Sequence, residues 1–143
     1  KKYMSKEDNL QESLRWFDTA MSDYEAAKIM CENKKYAHAC FLSQQSAEKA
    51  LKALHYYYDS DPWGHSVLKL IDELKYIDIE VYTILALYTD NARLLDKLYI
   101  PTRYPNGLPD ITPDLAYSKK DADEALLSAD MILQKVKEII AKR

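Results

Sequence analysis

The chain has 143 residues, enough for a single domain with a sizeable core. Hydrophobic residues make up 48% and charged residues 30%, which excludes a disordered chain, and a net charge of −3 excludes a globally basic nucleic-acid binder, so any such site has to be a local patch. Only 2 glycines are present, too few for an architecture rich in β-hairpins.

Apolar residues recur at helical spacing through most of the chain. A first helix is predicted from Lys6 to Glu32, with Ser5 and Asp8 as a capping box and Leu10, Leu14, Phe17, Met21 and Tyr24 along one face. A second follows from Tyr36 to Tyr58, with Ala37, Phe41, Gln44, Ala47, Leu51 and Leu54 on its stripe. The run up to Pro62 ends it. A short third helix is expected from His65 to Leu74. A fourth is expected from Ile79 to Tyr99, capped by Asp78. The segment 100–117 reads as a long loop, because it holds four of the 5 prolines and Gly107; Thr112-Pro113 suits a short helical turn. The last helix is predicted from Lys119 to Lys142, opened by a Ser118–Asp121 capping box, with acidic residues at its start and Lys135, Lys137, Lys142 and Arg143 towards its end. The expected fold is therefore all-α: one domain over residues 1–143, an up-and-down four-helix bundle with an additional short helix.

No apolar run is long enough to cross a bilayer, and KKYMSKEDNL has no apolar h-region, so no membrane span and no secretory signal are expected and the expected location is cytoplasmic. Cys31 and Cys40 form no C-x-x-C pair and read as free thiols. His38, His55 and His65 lack zinc-ligand spacing, so no metal and no cofactor are expected. His38 and His55 read as core or interface residues.

Three segments carry polar groups that chemistry can use. In the second helix Gln45, Glu48, Lys49 and Lys52 share one face. They form either a solvated stripe with an i,i+4 Glu48–Lys52 pair or the lining of a groove. His65 follows Trp63-Gly64 and stands at the expected start of the third helix, as a cap or as a site residue. Arg103 lies between Pro101 and Pro105 next to Tyr104; its guanidinium suits a planar anion, or pairs with a carboxylate such as Glu48 to pin the loop. Of the 12 tyrosines, Tyr56, Tyr57, Tyr58, Tyr88, Tyr99 and Tyr104 could stack on bases or fill interfaces. No Gly-rich phosphate loop and no G-x-S-x-G are present.

The ordered set SQQSAEKALKAL (43–54), GHSVLKLIDEL (64–74) and YIPTRYPNG (99–107) resembles the HEPN domain family. The resemblance implies a helical bundle that pairs as a homodimer. It implies a nucleotide or RNA ligand, or a minimal nucleotidyltransferase partner in a toxin–antitoxin-like system. Catalytic members are metal-independent ribonucleases with an Arg and a His separated by four to six residues. Here neither Arg93 nor Arg103 is followed by a His, and the last one in the chain is His65. The expectation is thus a non-catalytic binding module with no catalytic residue, its site bordered by Gln45, Glu48, Lys52, His65, Arg103 and Tyr104. Two other readings stand beside it: a ribonuclease with a non-standard site, in which Arg103 and His65 meet in space, and a purely structural protein-interaction module.

Overall fold

A computed structural model describes residues 5–142; the expected contribution of Arg143 to the last helix lies outside the described residues. Seven helices follow one another: α1 (Lys6–Glu32), α2 (Tyr36–Tyr57), α3 (Val67–Glu73), α4 (Ile79–Leu85), α5 (Thr89–Asp96), α6 (Pro113–Ala116) and α7 (Lys119–Ala141). Among the described residues there is no strand. The fold class is as expected: an all-α bundle in which α1, α2, α7 and the α4–α5 arm enclose one core, with α3 as the additional short helix.

Start signals act as their chemistry dictates. The Ser5 hydroxyl accepts from the Asp8 amide at 3.1 Å, and the Asp78 carboxylate accepts from the amides of Glu80 and Val81. Ser118 and Asp121 form a complete capping box. Thr112 and Pro113 open α6, the short turn expected inside the loop.

The α1–α2 packing is made by small residues. Ala20 and Ala27 of α1 and Ala39, Ala47, Ala50 and Ala53 of α2 are fully buried, and the Ser13 hydroxyl donates to the Ala53 carbonyl at 2.7 Å. Such residues let two helix backbones approach closely. The predicted inner face of α1 is accordingly off by part of a turn. Asn9, Ser13, Phe17 and Ala20 point inward, whereas Leu10 and Leu14 are 39% and 44% exposed.

The single helix expected from Ile79 to Tyr99 is broken by a 3₁₀ turn at Ala86–Tyr88, where the Thr89 hydroxyl donates to the Ala86 carbonyl at 2.6 Å. Val81, Leu85, Ala92 and Leu95 are nevertheless all fully buried, so the apolar period runs through the break. The third helix also starts later than expected, at Val67. Ser66 is its cap, and His65 precedes it. His38 is not a core residue: it is exposed on the outer side of the first turns of α2.

Cys40 is fully buried, and burial pushes its thiol up to about 12, which makes it an inert core group. His55 is 2% exposed. Its Nε2 donates to the Leu70 carbonyl at 2.9 Å, and its Nδ1 lies 3.4 Å from the Ser60 hydroxyl. Burial holds its pKa below 6.5. The unfolded chain therefore takes up a proton before the folded one does as pH falls. The stabilising contribution of neutral His55 is complete above about pH 6.5 and is lost as pH drops below it. Melting curves between about pH 7.5 and 5.5 should show a falling Tm whose slope is reduced in His55→Gln; an equal slope in both proteins would contradict this.

Candidate functional site

The polar face of α2 does not lie in solvent. Glu48 is 3% exposed and Lys52 8% exposed. An unpaired carboxylate at this depth would cost several kcal/mol, roughly, so its partners decide whether the helix can carry it there. Lys52, one turn on, places Nζ 3.1 Å from Glu48 Oε2. His65 places Nδ1 3.2 Å from Oε1, and Gln45 Nε2 lies 3.4 Å from the same oxygen. Gln45 also donates to Gln44 Oε1 at 2.7 Å, and Gln44 donates to the His65 carbonyl at 2.7 Å. The i,i+4 pair expected from the spacing is present, but inside the bundle. Lys49, on the same helix face, turns instead to Asp23 of α1 at 2.7 Å.

A carboxylate only accepts, so His65 Nδ1 carries the proton shared with Glu48. Nε2 is left as an acceptor when the ring is neutral and a donor when it is charged. The His65 side chain is 56% exposed, so this edge is available to a ligand. Its ring stacks on Tyr99, with centroids 4.6 Å apart and an interplanar angle of 19°.

Arg103 meets the same tyrosine. Its guanidinium carbon lies 4.5 Å from the ring centroids of both Phe41 and Tyr99 and 5.2 Å from that of Tyr104. Its Nε donates to the Tyr99 carbonyl at 3.0 Å. Among the described residues no carboxylate lies within ion-pair distance of it, so the pairing with Glu48 that would pin the loop is not formed. The cation is held by aromatic faces, and the residue is exposed. The loop start is anchored by buried Thr102, whose hydroxyl donates to the Leu98 carbonyl, and the amides of Arg103 and Tyr104 both donate to the Ile100 carbonyl.

The structure thus brings Gln45, Glu48, Lys52, His65, Arg103 and Tyr104 into one connected cluster. Sequence reasoning missed the role of Asp96. This carboxylate, in the last turn of α5, accepts from the Ser66 hydroxyl at 2.7 Å and from the amides of Val67 and Leu68 at 2.7 and 3.1 Å. It ties the segment that bears His65 to the arm that bears Tyr99. The available signal was its position: an acid at a helix C-terminus is poorly placed against the macrodipole unless it serves elsewhere. Phe41 and Gln44 were placed on the stripe of the second helix and not among the site residues, although one supports Arg103 and the other holds the His65 backbone. Among the described residues, no group of three His, Cys, Asp or Glu side chains converges as for a metal ion.

The fold recurs in known proteins. A model of the HEPN domain matches residues 13–139. The crystal structure of TT1696 from Thermus thermophilus is similar with a TM-score of 0.82 and 38% identity, over 89% of this chain and 97% of that one. ST0689, an archaeal HEPN homologue, gives 0.72 and 35% over 90% and 98% of the two chains. The HEPN domain protein tm0613 from Thermotoga maritima gives 0.66 and 30% over 90% and 99%. No curated protein matches the chain. With a family match across most of its length and neighbours that it spans almost completely, the chain belongs to the HEPN domain family.

Proposed function

We propose that this protein is a non-catalytic HEPN-type binding module that holds the phosphate of a nucleotide or RNA ligand on the Arg103–His65 face. The observation that carries this reading is the state of Arg103. It is exposed, rests on three aromatic rings and has no carboxylate partner among the described residues. A guanidinium that stabilised the loop by an ion pair would already be neutralised; this one keeps its charge and its donor edge for an incoming anion. His65 offers a second polar edge beside it, and half-exposed Tyr104 offers a ring on which a base can stack.

The ribonuclease reading has one observation in its favour. His65 and Arg103 come from distant segments yet pack on the same Tyr99, and Glu48 orients the imidazole as an acid–base group requires. Incubation with labelled single-stranded RNA in the presence of a chelator separates the two. The binding module leaves the RNA intact, whereas cleavage abolished by His65→Ala identifies an enzyme.

Calorimetry with adenosine 5′-monophosphate tests the anion site. Arg103→Ala should lower affinity about tenfold or more, and Arg103→Lys should also weaken it although charge is kept, because ammonium lacks the planar fork. Stability should stay within about 1 kcal/mol, as at other exposed positions. A large loss of stability with binding unchanged would reassign Arg103 to the loop.

The reading includes a homodimer and, from the family resemblance, a nucleotidyltransferase-type partner in a toxin–antitoxin-like system. Support for the dimer comes from Ile84 and Leu87, 36% and 80% exposed, which line a cleft of about 400 Å³ with Ile139 of α7. Light scattering at micromolar concentration should give twice the chain mass, and Leu87→Glu should shift it to the monomer with the helical circular dichroism retained. A wild-type monomer would exclude this association.

A further inference from the structure

The inner face of α1 carries a polar group that the bundle does not use. Asn9 is 6% exposed, and its Oδ1 has no hydrogen-bond partner among the described residues. Farther along that face, the Ser13 hydroxyl is satisfied by the Ala53 carbonyl and Phe17 is packed in the core. A buried acceptor left without a donor destabilises the fold, so an apolar residue would serve packing better at this position. Asn9 borders a cleft of about 730 Å³ at the end of the bundle where α1 begins and α2 and α7 finish. A half-turn of the side-chain amide exchanges its oxygen and its amino group, so this acceptor can meet a donor that enters the cleft.

The rest of the lining selects the donor. Tyr57 and Tyr58 form one wall, their rings edge to face with centroids 5.3 Å apart, and the Tyr58 hydroxyl donates to Asp78 at 2.8 Å, which sets its ring. Leu10 and Ile140 supply apolar surface. Glu7 also lines the cleft and has no ion-pair partner among the described residues. The C-terminal ends of two helices meet there, α2 at Tyr57 and α7 at Ala141, and their dipoles place partial negative charge at the cleft. No charged basic side chain offsets them. The last turn of α7 has none, and that of α2 has only His55, which burial favours in its neutral form. Lys142, just beyond α7, lines the cleft beside Leu87 instead. At the start of α1 the opposite dipole is met by Glu7 and Asp8. Lys6 is the one cation among the described residues of the lining, and it is exposed. Ring faces, a carboxylate, an amide oxygen and two helix C-termini all favour a cation, while Leu10 and Ile140 favour an apolar body.

We infer that the cleft between the start of α1 and the ends of α2 and α7 is a binding site for a small organic amine, its ammonium on Asn9 and Glu7 and its apolar body against Tyr57, Leu10 and Ile140. The inference does not depend on the reading of Arg103. Phenethylamine titrated against the full chain tests it, with phenethyl alcohol and hydrocinnamate as neutral and anionic probes of similar shape and amide NMR as the readout. The amine should shift, saturably, the Asn9 side-chain amide signals and the backbone signals of residues 6–10, 57–58 and 140–141. It should bind at least about tenfold more tightly than the alcohol, and the carboxylate should not bind. Glu7→Gln and Asn9→Leu should each weaken the amine about fivefold or more. Asn9→Leu should also raise the Tm, because it removes an unpaired buried acceptor; Glu7→Gln, at an exposed position, keeps the fold and gives a second arm. Equal affinity of amine and alcohol, shifts confined to the Arg103 face, or amine binding unchanged in both variants overturns the site and leaves the nucleotide reading untouched. A Tm lowered by Asn9→Leu also overturns it, because the amide then serves the bundle itself.

Discussion

The arrangement depends on one buried carboxylate. Glu48 sits inside the bundle and is acceptable there only because three donors converge on it, from Lys52, His65 and Gln45. Lys52 is supplied by the helix itself, one turn on. His65 has to be brought in from the segment after α2. Burying Glu48 therefore links the interior of α2 to the loop before α3 and sets which edge of the imidazole faces outward. Gln44 adds a second hold on that segment through the His65 carbonyl. A carboxylate whose partner is removed at this depth is far more costly than an apolar residue in its place, so the network acts as a constraint on the fold and not only as an added contact.

The second organising contact is aromatic. Tyr99 is stacked by His65 and lies under Arg103, and it follows directly on the arm whose Asp96 caps α3. Two independent ties thus hold the 63–69 segment to the 96–104 segment: a charged cap at one point and ring stacking at the other. Arg103 is fixed through its Nε and its face, and among the described residues no carboxylate pairs with it. A rigid helical scaffold carrying a positioned cation on a proline-bounded loop is a common way to build a binding site, because little ordering is left to be done when the ligand arrives.

Much of the fold was legible in the sequence, and the reasons are local. Helix starts were readable because Ser5, Asp78 and Ser118 act through short-range hydrogen bonds that the sequence states outright. The inner face of α1 was not, because its packing relies on Ser13, Ala20 and Ala27, which carry little hydrophobic signal, while Leu10 and Leu14 carry much and remain outside. The break at Ala86–Tyr88 was hidden because the apolar period crosses it unchanged. For the candidate site, six residues were named from spacing, residue type and the family resemblance, and the structure brings them into one cluster. What spacing could not reveal was depth: an i,i+4 Glu–Lys pair looks the same on a wet surface and in a core. Nor could it show that Asp96 and Tyr99 join the separate segments, since that link exists only once α3 and α5 pack together.

Glu48 and Lys52 are mutually required in the interior, and a double-mutant cycle on stability tests this most directly. Urea unfolding of Lys52→Met, Glu48→Gln and the double variant gives the coupling. Lys52→Met alone should cost about 3–5 kcal/mol, because it strands a buried carboxylate, and adding Glu48→Gln to it should recover at least ~1 kcal/mol. If the two substitutions simply add, with Lys52→Met costing no more than the ~0.5 kcal/mol of an ordinary surface change, the pair does not organise the site and the buried carboxylate is not what the fold depends on.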